Sequence, residues 1–299
     1  MQTSAAGTAV AAENARPALA LTGLGWRVGG RTVLEALDLD VRSGELLAVI
    51  GPNGAGKTSL FNLITGLTRP SAGRIEVHGR DVTALPAHRR VRHGLGRTFQ
   101  TSSVLPGLTV AQNAELAAQA AISGPYGSLK PWSRIGTRAR AAAAEALERT
   151  RLSADAKRPA GSLSHGGKRK LELAILLAGR AARPAHAAAE REGSSGGDAG
   201  GGSGAGGARP MRGSAGQVLL LDEPMAGMAV EEVPELTALI REIHAAGATI
   251  LMVEHHMEVV LGLAERIAVL HHGALLACDT PSAITENPTV REAYLGEPL

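Results

Sequence analysis

ELLAVIGPNGAGKTSLFNLITGL, residues 45–67, decides the fold. Its first six residues are a nearly continuous apolar run, the pattern of a strand covered on both faces in a parallel sheet. Its last residues space Leu60, Phe61, Leu63 and Ile64 helically and stop at Gly66, where a helix is expected to end. Between the two lies GPNGAGKT, with Gly51, Gly56, Lys57 and Thr58 at P-loop spacing. Glycines there let successive backbone N–H groups turn inward around phosphates, and the helix N-terminus adds its positive end. Lys57 is placed to reach the β- and γ-phosphates and the Thr58 hydroxyl to bind Mg²⁺. Pro52, Asn53, Gly54, Ala55 and Ser59 complete the expected cradle. A chance glycine-rich turn would require neither the strand before it nor the helix after it, so the stretch predicts nucleotide binding.

VLLLDE, residues 218–223, supplies a second half. Its apolar residues predict a central parallel strand that carries Asp222 to the C-terminal edge of the sheet, where ligands bind in open α/β folds. Asp222 is a candidate Mg²⁺ holder and Glu223 a candidate to orient an attacking water. An acid at a strand end is common and means little alone; beside a P-loop it means much more. TILMV, residues 249–253, is followed by EHHM, which puts His255 at the end of the next strand, a candidate contact to the γ-phosphate. RTFQ ends in Gln100, which taken alone would carry no meaning.

The rest of the chain sets bounds. Its 299 residues, 44% hydrophobic and 20% charged, suffice for one large domain or two small ones. With 2% aromatics the core must be built from Leu, Val, Ile and Ala. A net charge of +3, with no long basic run, argues against nucleic acid as the partner. The cluster Arg89-Arg90-Val91-Arg92 is expected on a solvated surface. Cys278 is the single cysteine, so no disulfide forms within the chain and a reducing compartment fits. Neither a signal peptide nor a spanning apolar run is present in the sequence.

Residues 1–17 read as a disordered Ala-rich tail and residues 18–41 as an antiparallel strand pair broken at Gly29-Gly30. RIEVHG reads as another short strand. A helical region runs over about 101–180, and strands resume with VLLLDE, TILMVEH and RIAVLHHG, with helices between them. Residues 181–216, rich in Gly and Ser, read as a flexible loop insertion that separates no two domains. The pattern is α/β: a parallel core interrupted by a helical insertion.

LSHGGKRKLELA, residues 163–174, can be an amphipathic basic helix with a polar start, or a variant of the LSGGQ signature of ATP-binding cassette (ABC) proteins. Together with Gly51–Thr58, Gln100, Asp222-Glu223 and His255, in that order and at that approximate spacing, it resembles an ABC ATPase from Ala18 to the C-terminus. The resemblance implies a P-loop NTPase cassette with a RecA-like parallel-sheet core, an antiparallel β subdomain and an inserted helical subdomain. It implies ATP and Mg²⁺ as cofactors, with Gln100 joining Thr58 and Asp222 near the metal. It also implies that Ser164 and Gly166 start a helix aimed at the γ-phosphate on a second ATPase subunit. His165 and Gly167 replace the usual Gly and Gln without removing a backbone donor. In relatives an aromatic residue before the Gly-Gly pair stacks on adenine. Here Val28 holds that place, and Trp26 lies on the same strand face; a Trp packed under the antiparallel pair is the competing reading. Ala229 stands where an Asp or Asn crosses the dimer.

GLGRTFQTSSVLPGLTVAQNAELAA, DEPMAGM, VEHHMEVVLGLAERIAVLHHG and the terminal VREAYLGE resemble the ATPase subunits of importers for branched-chain amino acids and the related urea or amide systems. That implies a peripheral subunit at the cytoplasmic face of the inner or plasma membrane. Its partners would be a second ATPase subunit, two permeases and, indirectly, a solute-binding protein. The urea-type reading stays open, as does that of a non-transport or regulatory ABC ATPase with weak turnover.

Overall fold

The computed structural model describes residues 16–98, 104–123, 132–182 and 216–295. Gln100, most of the N-terminal tail and nearly all of the Gly-rich stretch lie outside them. The described chain divides into two compact units, Met1–Thr101 with Ser214–Leu299, and Ser102–Gly213.

The strands of the first unit are, in chain order, β1 (Leu19–Val28), β2 (Arg31–Val41), β3 (Leu46–Ile50), β4 (Ala72–Val77), β5 (Arg80–Asp81), β6 (Leu95–Arg97), β7 (Val218–Asp222), β8 (Thr249–Val253), β9 (Arg266–His271) and β10 (Ala274–Asp279). One sheet has the order β2-β1-β4-β5 and is antiparallel throughout. The other has the order β10-β9-β3-β8-β7-β6 and is parallel except where β10 pairs with β9. The three apolar runs LLAVI, VLLLD and TILMV are buried at every residue, as strands inside a sheet covered on both faces must be. The antiparallel sheet places Leu19 and Leu21 of β1 and Leu37 and Leu39 of β2, each pair at alternate positions, in the same buried cluster as Leu60, Phe61 and Ile64.

The helix Lys57–Thr65 ends as its sequence requires. Gly66 adopts φ +78 and its N–H returns to the last turn. Beside that end the expectation of a solvated arginine cluster fails. Arg89, Val91 and Arg92 are exposed, but Arg90 is only 1% exposed. Its guanidinium donates to the carbonyls of Leu63 (2.6 Å), Ile64 (2.9 Å), Thr83 (2.8 Å) and Leu85 (2.8 Å). It thereby ties the negative end of that helix to the loop after β5. Burial pushes its pKa down to about 10, opposed by the Asp81 carboxylate.

The second unit is helical. Val110–Ser123, Trp132–Arg149 and His165–Ala181 pack on one another. Ala139, Ala142, Ala143, Ala146 and Leu147 recur at helical spacing and are buried. Small side chains on that stripe let the helices approach closely, which answers the shortage of aromatics.

Candidate active site

β3 delivers the chain to the C-terminal edge of the parallel sheet, where the loop 51–56 turns into the helix Lys57–Thr65. Gly51 (φ +153) has no room for a side chain, because a Cβ there would collide with the Leu270 carbonyl of neighbouring β9. Gly56 takes φ +104 immediately before the helix, with the Val33 carbonyl 3.3 Å from where a Cβ would stand. The two glycines are therefore fixed by close backbone approach and by left-handed geometry respectively.

Lys57, 7% exposed, folds its ammonium back over the loop and donates to the carbonyls of Gly51 (2.6 Å) and Pro52 (3.0 Å). Burial holds its pKa below the ordinary 10.5, and the Glu223 carboxylate pulls the other way.

β7 and β8 run parallel with Asp222 beside Val253, so the residues that follow leave the sheet side by side. Glu223 takes φ +48, unusual for a non-glycine residue, and its N–H donates to the Val253 carbonyl at 2.9 Å. Its Oε1 lies 3.0 Å from Nε2 of His255. Both side chains, with Val33, Asn53, Gly54, Ala55, Gly56, Lys57, Thr58 and Ser59, line a cleft of about 400 Å³. Six positions of the expected cradle, Lys57 and the two candidate catalytic groups beyond it thus meet in one place. Gly51 and Pro52 stand behind Lys57 as its acceptors.

Asp222, 1% exposed, does not line the cleft. Its Oδ2 accepts from Arg97 at 2.7 Å, and its Oδ1 has no hydrogen-bond partner among the described residues. Its N–H donates to the Thr98 hydroxyl at 3.2 Å. Arg97 and Thr98 belong to RTFQ, a segment whose sequence drew notice only for Gln100. A second residue the sequence did not reveal is Glu254, also 1% exposed. Its carboxylate accepts from the N–H groups of Met225 (2.9 Å), His255 (2.6 Å) and His256 (3.3 Å), fastening the loop after Glu223 to the loop carrying His255. An acid directly after a buried strand was the available signal.

Neither residue proposed for adenine reaches the cleft lining. Trp26 pairs across the sheet with Leu34 and is half-buried against the core cluster, while Val28 is 52% exposed. Val33, which had not been singled out, lines the cleft instead.

In the second unit Ser164 caps the helix His165–Ala181, its Oγ accepting from the Gly167 N–H at 3.1 Å. Ser164 and His165 are exposed and Gly166 is buried. Gly167 is crowded, since a Cβ would stand 3.2 Å from that of Leu163. The stretch is thus a helix start, capped by the side chain of Ser164.

Residues 34–182 match the family described as ABC transporter, and residues 274–298 match the one described as branched-chain amino acid ATP-binding cassette transporter. The chain is 33% identical over 287 residues to the high-affinity branched-chain amino acid transport ATP-binding protein BraF of Pseudomonas aeruginosa, covering 94% of this chain and 99% of that one. It is 34% identical to the corresponding protein LivG of Salmonella typhimurium, with the same coverage. The chain belongs to the ATP-binding proteins of ABC transporters. A solved cassette of an ABC transporter in its ADP conformation has the same fold, with a TM-score of 0.71 and 24% identity over 94% of this chain and 100% of that one. Membership makes the cassette a nucleotide-binding protein, and among the described residues no helix is long and apolar enough to cross a membrane.

Proposed function

We propose that the cassette is the ATP-hydrolysing subunit of an importer for branched-chain amino acids, held peripherally at the cytoplasmic face of the membrane by two permeases. The observation that carries the catalytic part is the 3.0 Å contact of Glu223 with His255 in a cleft walled by the P-loop. The match of residues 274–298 and the names of the relatives support the solute class. The solute itself would meet a separate binding protein and the permeases.

In this reading the triphosphate lies along residues 51–59, and Lys57 exchanges the carbonyls of Gly51 and Pro52 for β- and γ-phosphate oxygens. Glu223 accepts a hydrogen bond from the attacking water and orients it in line with the γ-phosphorus. His255 turns its Nε2 from Glu223 toward a γ-phosphate oxygen. Catalysis then comes from positioning and from charge stabilisation. Val33 replaces Trp26 as the proposed apolar contact of the base. Thr58 and Asp222 offer hard oxygen donors of the kind Mg²⁺ prefers, and the partnerless Oδ1 of Asp222 fits that role. Gln100 would join them from the segment after β6. When bound, Mg²⁺ neutralises charge on the β- and γ-phosphate oxygens. A second ATPase subunit would supply the helix start at Ser164 and Gly166 to the far side of the nucleotide.

Glu223→Gln tests the reading. Turnover should fall roughly 10²–10⁴-fold, the usual worth of a positioned base. ATP binding should persist, and an ATP-dependent dimer should accumulate on sizing chromatography. A folded variant with near wild-type turnover refutes the role of Glu223.

A further inference from the structure

Two buried side chains beside the strand ends that carry Asp222 and His255 bond to the protein rather than to the cleft: Arg97 and Glu254. Of the two, Arg97 makes the more specific set of contacts. It is the last residue of β6, at the edge of the parallel sheet, and its side chain is 7% exposed. Nη2 donates to Asp222 Oδ2 at 2.7 Å. Nη1 donates to the Asn62 side chain at 2.8 Å and to the Thr65 hydroxyl at 3.2 Å. The guanidinium carbon stands 5.6 Å from the centre of the Phe61 ring. Phe61, Asn62 and Thr65 all lie on the helix that begins at Lys57 and Thr58.

The consequence concerns the two metal-holding candidates. Thr58 and Asp222 sit on separate elements, a helix start and a strand end, and no hydrogen bond joins their side chains among the described residues. Arg97 is bonded to both elements at once. One Nη bonds Oδ2 of Asp222 and the other bonds Asn62 and Thr65 of the helix, so the guanidinium ties the strand end to the helix and leaves Oδ1 as the buried carboxylate oxygen without a protein partner. The neighbouring Thr98 hydroxyl accepts the Asp222 N–H, so side chain and backbone of the acid are both clamped from one dipeptide.

We propose that Arg97 is a positioning residue for the metal, setting Asp222 Oδ1 relative to Thr58 so that Mg²⁺ strengthens nucleotide binding. The inference rests on the proposed role of Asp222. A side chain that only braced the fold would affect melting without separating nucleotide binding with metal from binding without it. Outer partners of metal ligands typically contribute roughly 10–100-fold to metal affinity.

The experiment measures affinity for a non-hydrolysable ATP analogue in Mg²⁺ and in EDTA, for wild type, Arg97→Gln, Arg97→Lys and Asp222→Asn, with a thermal melt of each. In Arg97→Gln the gain from Mg²⁺ should shrink by roughly 10–100-fold while affinity in EDTA stays near wild type. Arg97→Lys, which keeps the charge but not the fork, should fall between the two. If Asp222→Asn loses the Mg²⁺ gain and both folded Arg97 variants keep it, the positioning role is overturned while that of Asp222 stands. If Asp222→Asn keeps the gain, the reading of Asp222 as metal holder fails first. Should Arg97→Gln not fold, the milder Arg97→Lys decides: an undiminished Mg²⁺ gain overturns the proposal.

Discussion

Arg90 offers the sharpest test of the packing, because its sequence context pointed the wrong way. Arg90→Met keeps most of the stem volume and removes the planar charged head. Four hydrogen bonds to main-chain carbonyls are lost, at Leu63, Ile64, Thr83 and Leu85. Bonds from a charged donor contribute about 1.5–3 kcal/mol each, giving a gross loss of about 6–12 kcal/mol. That figure is an upper bound, because the four bonds come from one guanidinium and do not add independently. The carbonyls left behind are neutral, and the expected destabilisation is about 3–5 kcal/mol, at the large end of single substitutions because a buried hydrogen-bond network is lost. At about 2–4 °C per kcal/mol for a domain of this size, melting should drop by roughly 6–20 °C.

The assay is thermal unfolding followed by far-ultraviolet circular dichroism, with Arg92→Met as the matched control. Arg92 is exposed on the same short helix, Ala87–Arg92, and its loss should stay within about 0.5 kcal/mol. Equal melting of the two variants would refute the argument that four carbonyls anchor Arg90. Arg90→Lys should fall in between, since an ammonium donates from one centre and cannot reproduce the fork.

Two further expectations concern the site. The pKa of Lys57 lies below 10.5 because burial disfavours its charge, and bound phosphates restore that charge, so nucleotide binding takes up a proton in the alkaline range. Affinity for ADP, titrated at stepped alkaline pH, should weaken as pH rises through the free Lys57 pKa; an affinity flat over that range would count against the burial argument. For folding alone the sign is reversed: between the lowered folded pKa and the ordinary unfolded one the unfolded chain holds more protons, so the contribution of Lys57 to stability rises with pH there. Ser164→Ala removes the cap to Gly167, worth about 1 kcal/mol, and should lower melting only slightly. Its turnover should fall further than that loss explains, because the same hydroxyl is proposed to face a partner's γ-phosphate; unchanged turnover would remove Ser164 from the site.

What was legible in the sequence follows from how local its cause is. The strand, loop and helix over 45–67 declare themselves because burial on both faces, tight glycine geometry and a helix start all leave marks within a few residues. Glu223 and His255 were legible because each ends a buried run, and sheet order then brought them together. Arg97 was not, because its partner Asp222 is 125 positions away and an arginine at the end of a short strand has no local signature. Arg90 was misread for a related reason: its partners are carbonyls, which every residue carries. β10, an antiparallel edge strand on a parallel sheet, was not singled out; its middle residues are only half-buried, so ALLACD shows no clean alternation. Trp26 was legible as a large apolar residue of the antiparallel pair, but not whether its ring would contact a base or pack on the core, as it does.

The neighbouring acids Asp222 and Glu223 show how the fold gives two adjacent carboxylates different surroundings. Side chains along a strand alternate between faces, so the last strand residue, Asp222, turns into the sheet interior, where Arg97 neutralises it. Glu223 would then return to the opposite layer if the strand continued. Instead the chain adopts φ +48 at that residue, a conformation costing on the order of 1–3 kcal/mol, and its side chain enters the cleft beside His255. Something must hold such a turn in place. The Glu223 N–H is bonded to Val253, its carbonyl accepts from Ala226 at 3.0 Å, and Glu254 grips Met225. Environment thereby separates the roles: the buried acid has one oxygen paired and one spare, suited to a cation, while the acid in the cleft meets an imidazole and has room for water.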